Sequence, residues 1–363
     1  MSRLYFLLVL ALTPNLACAE EVITVYNWEG YIALPVLKSF EAETGIRVDY
    51  RTYTSPQEIA DALSSGVSID ISVQTHNDLP QLINSGAIQP LDFTQLANRK
   101  YLAPHLLGAL KSLDPGNRHA VPYLWGATGL AINTPLAEAA FGGPLPNSWS
   151  LLFDPEQSRR LASCGVSWQE GPNEGLTTLL RYQGRDLGRS SISRIKKTGK
   201  LLMELRPNLR YVSSTRYIND LREGKLCVAM SWVGDALAAA AAGQQVRFVI
   251  PDEGASFFID SLVIPRSAKR PDLALRFINY LLRPEIAAQI TTQTLYGSGN
   301  LKAKEFVDAS LRRQSGLYPD NQTRRRLTLL ETLPPKHAEV SNAVWTEFIN
   351  GATPTEASAA GSP

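Results

Sequence analysis

The spacing of apolar residues between Val22 and Val73 constrains this chain more than any other feature. Val22 to Tyr26 reads as a strand. Pro35 to Thr44 carries Val36, Leu37 and Phe40 on one face and stops at Gly45, the pattern of an amphipathic helix with a C-terminal glycine. Ile46, Val48 and Tyr50 alternate as a second strand, Ser55-Pro-Gln-Glu58 is a capping box opening a helix that ends near Gly66, and Ile69 to Val73 reads as a third strand. Strands and helices alternating in this order predict a parallel sheet wrapped by right-handed crossovers, an α/β fold. In such sheets ligands bind at the carboxyl ends of strands. That rule singles out two loops: Trp28, Glu29 and Tyr31 after the first strand, and Gln74-Thr75-His76-Asn77-Asp78 after the third. In the second loop Thr75 and Asn77 are read as facing a ligand, Asp78 as the cap of a helix ending at Gly86, and His76 as a surface residue.

Met1 to Ala19 has the layout of an export signal, with Arg3, an apolar run from Leu4 to Leu12, and small residues at Ala17 and Ala19. Acylation of Cys18 is the weaker reading, because Asn15 stands three residues before it where a lipoprotein signal carries leucine. Export leaves Cys164 and Cys227 in an oxidising compartment, which favours a disulfide between them over two buried thiols. A chain of 363 residues is long enough for two domains. Tyr123 to Asn133 reads as a long strand broken by Gly126 and Gly129 that crosses between them, and Val246 to Ile250 as a strand returning. Residues 20–125 and 248–297 are therefore assigned to one lobe, 126–247 and 298–350 to the other, and 351–363 to a disordered tail. The net charge of +2 and the scattered basic residues give no nucleic-acid signature; Arg324-Arg-Arg326 reads as a solvated helix face.

Four stretches repeat one chemistry. Trp28 stands with Glu29 and Tyr31, Glu170 with Glu174, Trp232 with Asp235, and Phe258 with Asp260, and none of them contains lysine or arginine. Carboxylates pair with ammonium groups, and aromatic faces hold cations and cover methylene stems, so such a cleft suits a ligand with two or more amines. Each aromatic also reads as core packing, the preferred reading for Phe257. Glu174 reads equally as a first-turn glutamate favoured by the helix dipole. A sugar or an amino acid in the same fold, or an amine sensor contacting a membrane receptor, are the alternatives. The sequence has four histidines and carries no zinc-protease motif, nucleophile elbow or phosphate-binding glycine loop, so no catalytic residue, metal or cofactor is expected.

Tyr26-Asn-Trp28 with Tyr31, Pro122-Tyr-Leu-Trp125, Trp232-Val-Gly-Asp235, Phe258-Ile-Asp260 and Tyr280-Leu-Leu-Arg-Pro284 resemble the periplasmic putrescine- and spermidine-binding proteins of ABC importers. Ser163-Cys-Gly-Val-Ser167 with Cys227 resembles the putrescine-preferring branch, where this cysteine pair is a disulfide. The resemblance implies a type II periplasmic binding protein fold, two α/β lobes closing over the ligand by a hinge. It also implies delivery of a polyamine to an inner-membrane permease, by a chain expected to act as a monomer. Binding positions carry over onto Trp28, Tyr31, Thr75, Glu174, Trp232, Asp235, Phe258, Asp260 and Tyr296, with Glu170 in second rank. Where the family reads Trp, then Ser or Thr, then Asp or Glu, then Tyr, this chain has Trp28-Glu29-Gly30-Tyr31. The acid stands one position earlier, which bears on which amine is bound.

Overall fold

The computed structural model describes residues 21–330 and 332–351. The export segment read at 1–19, with Cys18, and residues 352–363 of the expected tail lie outside them.

The opening pattern folds as its periodicity dictates. Strand β1 (Val22–Trp28) pairs in parallel with β2 (Arg47–Tyr53) and β3 (Ile71–Thr75). The helix Leu34–Thr44 buries Val36, Leu37 and Phe40, and Gly45 ends it at φ 72°, its N–H donating to the Glu41 carbonyl. Such a left-handed residue favours glycine, which has no Cβ to clash. Ser55 accepts from the Glu58 amide at the start of Pro56–Ser64, and Glu58 reaches back to the Thr54 amide rather than to that of Ser55. Asp78 does not cap the helix Leu79–Asn84: its backbone is helical, at φ −86° and ψ −20°, and its side chain makes no cap hydrogen bond. A cap needs an extended backbone to turn its oxygen toward the first amides. His76 is not at the surface either. It is fully buried, with Nδ1 accepting from the Ile259 amide at 3.3 Å and Nε2 2.6 Å from the Leu330 carbonyl.

One strand, β4 (Ala120–Asn133), organises the rest. It is buried along its whole length and unbroken at Gly126 and Gly129. Those glycines serve close approach instead: a Cβ on Gly129 would lie 2.4 Å from the Val249 carbonyl oxygen. Three strands follow in the next stretch of chain, β5 (Val166–Trp168), β6 (Tyr211–Val212) and β7 (Val228–Trp232), and four more complete the set, β8 (Val246–Val249), β9 (Ala255–Val263), β10 (Gly297–Ser298) and β11 (Leu327–Leu329). From Ala120 to Ala127, β4 runs antiparallel to β9; from Thr128 onward it pairs with β7 on one side and β8 on the other. The eleven strands of the described residues thus form a single sheet, ordered β2-β1-β3-β9-β4-β7-β5-β6, with β8 and β10 on β4 and β11 on β9. β4 passes between the two halves of this sheet, and β8 followed by β9 returns.

Beyond β4 the core is aromatic. Phe153 and Trp168 have centroids 5.0 Å apart, and Phe348, on the last helix Pro335–Asn350, lies 5.6 Å from Trp168. Trp149 Nε1 donates to the Gly254 carbonyl at 2.8 Å. Cys164 and Cys227 are joined, with Cα atoms 5.5 Å apart, as expected from the compartment. Closing a loop of this length stabilises the fold by about 4 kcal/mol on the chain-entropy account.

Candidate functional site

β1 delivers Trp28 at its carboxyl end, in register with Tyr53 at the end of β2, and the two rings stand 4.5 Å apart. Gly30, at φ 69°, then turns the chain. Glu29 donates its amide to the Tyr53 carbonyl at 3.1 Å and leaves its side chain exposed to solvent. Tyr31 points inward and is 8% exposed. Its hydroxyl donates to Asp260 Oδ2 at 2.8 Å, and Thr75 Oγ1 donates to Asp260 Oδ1 at 2.8 Å. The register explains the second contact, since Thr75 is paired directly with Asp260 where β3 runs antiparallel to β9. Tyr123, on β4, fixes the loop from below, its hydroxyl donating to the Tyr31 carbonyl at 2.8 Å.

The facing wall starts at the carboxyl end of β7. Trp232 ends that strand, and the helix Val233–Ala241 places Asp235 in its first turn. Asp235 Oδ2 accepts from the Tyr217 hydroxyl, and Tyr296 acts electrostatically on the same carboxyl. Tyr296 follows Leu295, whose left-handed backbone at φ 60° closes the helix Pro284–Thr294. Its ring lies 5.3 Å from Tyr31 and 5.8 Å from Phe258, and Phe258 lies 6.5 Å from Trp232. Glycines make room for these rings. A Cβ on Gly234 would come within 2.5 Å of Tyr296 Cε2, and one on Gly126 within 2.8 Å of Phe258 Cζ. Asp260 and Asp235, from opposite halves of the sheet, are therefore joined through Tyr31 and Tyr296, with Phe258 and Trp232 alongside.

Glu174, in the first turn of Pro172–Tyr182, keeps part of its surface accessible, yet its Oε1 is buried and has no hydrogen-bond partner among the described residues. Arg181, one half-buried cation, acts on this carboxyl from the same helix. Glu170 stands apart: it is exposed and exchanges hydrogen bonds with Ser214, amide to Oγ at 2.9 Å and Ser214 amide to Oε2 at 3.2 Å.

Burial dominates the electrostatics. It pushes the Asp260 carboxyl up to about 6 against the pull of Thr75 and Tyr31, and the neighbouring Asp78 adds to the rise. Asp235 is also pushed up to about 6 by burial, opposed by Tyr217, Arg222 and Tyr296. Glu174 is raised by burial, opposed by Thr128 and Arg181. Buried carboxylates are costly without a matched cation, and a cation brought to them restores the ionised form. Sequence reasoning missed Tyr53, Tyr123 and Tyr217. Tyr217 pairs with Asp235 across 18 residues of sequence, a contact no local pattern announces. Among the described residues no group of three or more His, Cys, Asp or Glu side chains is placed to hold a metal ion.

The sequence profile described as "Bacterial extracellular solute-binding protein" matches residues 36–313. The putrescine-binding periplasmic protein PotF of Escherichia coli (strain K12) is 38% identical over 348 residues, 93% of this chain and 94% of the relative. The putrescine-binding periplasmic protein SpuD of Pseudomonas aeruginosa (strain UCBPP-PA14) is 36% identical over 343 residues, covering 92% and 94%. Among solved structures, the spermidine/putrescine ABC transporter substrate-binding protein PotD from Streptococcus pneumoniae superposes with a TM-score of 0.82 at 25% identity, covering 91% of this chain and 99% of that one.

Proposed function

Because this chain belongs to the family of bacterial extracellular solute-binding proteins, we propose that it captures a di- or polyamine of the putrescine and spermidine class and delivers it to an ABC permease. The observation that carries this reading is the pair of buried carboxyl groups, Asp260 and Asp235, linked through the rings of Tyr31 and Tyr296. A flexible diamine has two cations separated by apolar methylenes, and this arrangement offers anions with aromatic surface between them. Relatives named for binding putrescine, at 38% and 36% identity over nearly the whole chain, support the same ligand class. The chain is a transport component and has no reaction to catalyse.

In this reading the mature protein begins after Ala19, works in the periplasm as a single chain, and closes its lobes, 20–125 with 248–297 and 126–247 with 298–350, on the ligand. Trp28, Thr75, Trp232, Phe258 and Glu174 complete the walls of the site around Tyr31, Asp235, Asp260 and Tyr296. Glu29 and Glu170, both exposed, lie toward its edge. Micromolar or tighter binding, roughly 8 kcal/mol, is within what paired charges and cation–π contacts supply. Native mass spectrometry of protein purified from its own periplasm tests the ligand class. A retained mass matching putrescine, spermidine or a close analogue is expected; a retained sugar or amino acid overturns the reading.

A further inference from the structure

Asp235 is held by a residue that has no surface of its own to offer a ligand. Tyr217, on the helix Arg216–Arg222, is fully buried, whereas Asp235 keeps part of its surface accessible. The Tyr217 hydroxyl meets three groups from three elements. Gln169 Nε2, just past β5, approaches it at 3.4 Å, and the Trp232 amide, at the end of β7, at 3.5 Å. Asp235 Oδ2, in the first turn of Val233–Ala241, is the third partner. Gln169 is itself buried, at 1% exposure, so this junction lies behind the wall of the site and not on it.

A phenol oxygen has one proton to give and lone pairs with which to accept. Two of the three partners are N–H groups, which can only donate. The hydroxyl proton is therefore directed at the carboxylate, the one acceptor among the three. A donor aimed at a carboxylate favours its ionised form, and here it opposes the rise that burial causes. An acid held before the ligand arrives also has less rotational freedom to lose on binding. We infer that Tyr217 is a positioning residue of the amine site: committed as a donor by Gln169 and the Trp232 amide, it holds the Asp235 carboxylate in place for an ammonium group without touching the ligand. This rests on the amine reading and deepens it.

The test is a double-mutant cycle, with Tyr217→Phe and Asp235→Asn made singly and together and titrated calorimetrically with putrescine and with spermidine. Thermal melting of the ligand-free proteins confirms folding. Tyr217→Phe keeps the ring and removes only the hydroxyl. It is expected to weaken binding about tenfold when Asp235 is present and less than about twofold in the Asp235→Asn background, because the lost bond acts through that carboxylate. Should Tyr217→Phe fail to fold, Gln169→Leu takes its place in the cycle, with a loss of about threefold expected beside Asp235 and none in the Asp235→Asn background. Equal losses in the two backgrounds mark a packing role and overturn the inference, as does unchanged affinity beside Asp235; both outcomes leave the amine reading intact. Wild-type protein that binds neither amine overturns both.

Discussion

Asp235 and Asp260 are held in the folded protein with carboxyl groups near 6, about two units above an unperturbed aspartate. An ammonium ligand binds the ionised forms, so in its presence both acids titrate lower. The complex then carries fewer protons than the free protein below about pH 6. Affinity is therefore full above that value and is lost as the pH falls through it. Between pH 7 and pH 5 the dissociation constant for putrescine is expected to rise by roughly 10- to 100-fold, depending on whether one or both protons must leave. Asp235→Asn is expected to weaken binding on the order of 100-fold at pH 7 and to flatten that pH profile, as titrations across the range would show. A wild-type affinity constant from pH 7 to pH 5 would contradict the assigned role of these acids. Both residues were legible in the sequence because each stands within three positions of an aromatic near a strand or apolar run. Tyr217, which donates to Asp235, and Tyr53, which lies against Trp28, were not legible, because the first contact comes from packing and the second from the register of two strands.

At the scale of elements, β1 and the helix Leu34–Thr44 follow from periodicity, since each has one buried face. β9 does not. Ala255–Val263 is largely buried on both faces and carries Asp260 in its middle, so it shows neither alternation nor a clean apolar run. His76 escaped for a related reason: its partners are backbone groups of β9 and of the segment after β11, both remote in sequence. Burial pushes its ring down to about 4, against the pull of the Leu330 carbonyl beside Nε2. A histidine lowered in the fold stabilises fully above its unfolded value near 6.5, and that contribution fades as the pH falls toward 4. From pH 7 to pH 5 the loss is about 2 kcal/mol. Asp235 and Asp260, raised in the fold, shift stability the opposite way over the same interval, so the net slope of the ligand-free protein conceals the histidine. Denaturant unfolding of wild type against His76→Gln isolates it. The variant is expected to gain stability on acidification by about 2 kcal/mol more than the wild type; parallel pH profiles would show that His76 does not titrate in this way.

For the whole molecule, the α/β class and the two-part organisation were visible in the alternation from Val22 to Val73 and in the long strand ending at Asn133. That both parts share one continuous sheet was not, because β4 changes partners from β9 to β7 and β8 within a single run of residues. This sharing sets the site: it places Asp260 and Asp235 on opposite sides of the passage and lets Tyr296 reach both walls. In the proposed reading the binding free energy is distributed over two halves of the chain, with anions at separate points for the separate cations of one ligand. Isothermal titration of the mature protein with putrescine, spermidine, cadaverine and agmatine tests this most directly. One-to-one saturable binding of at least one of these amines, at micromolar affinity or tighter, is predicted; folded protein giving no heat with any of them would contradict the account.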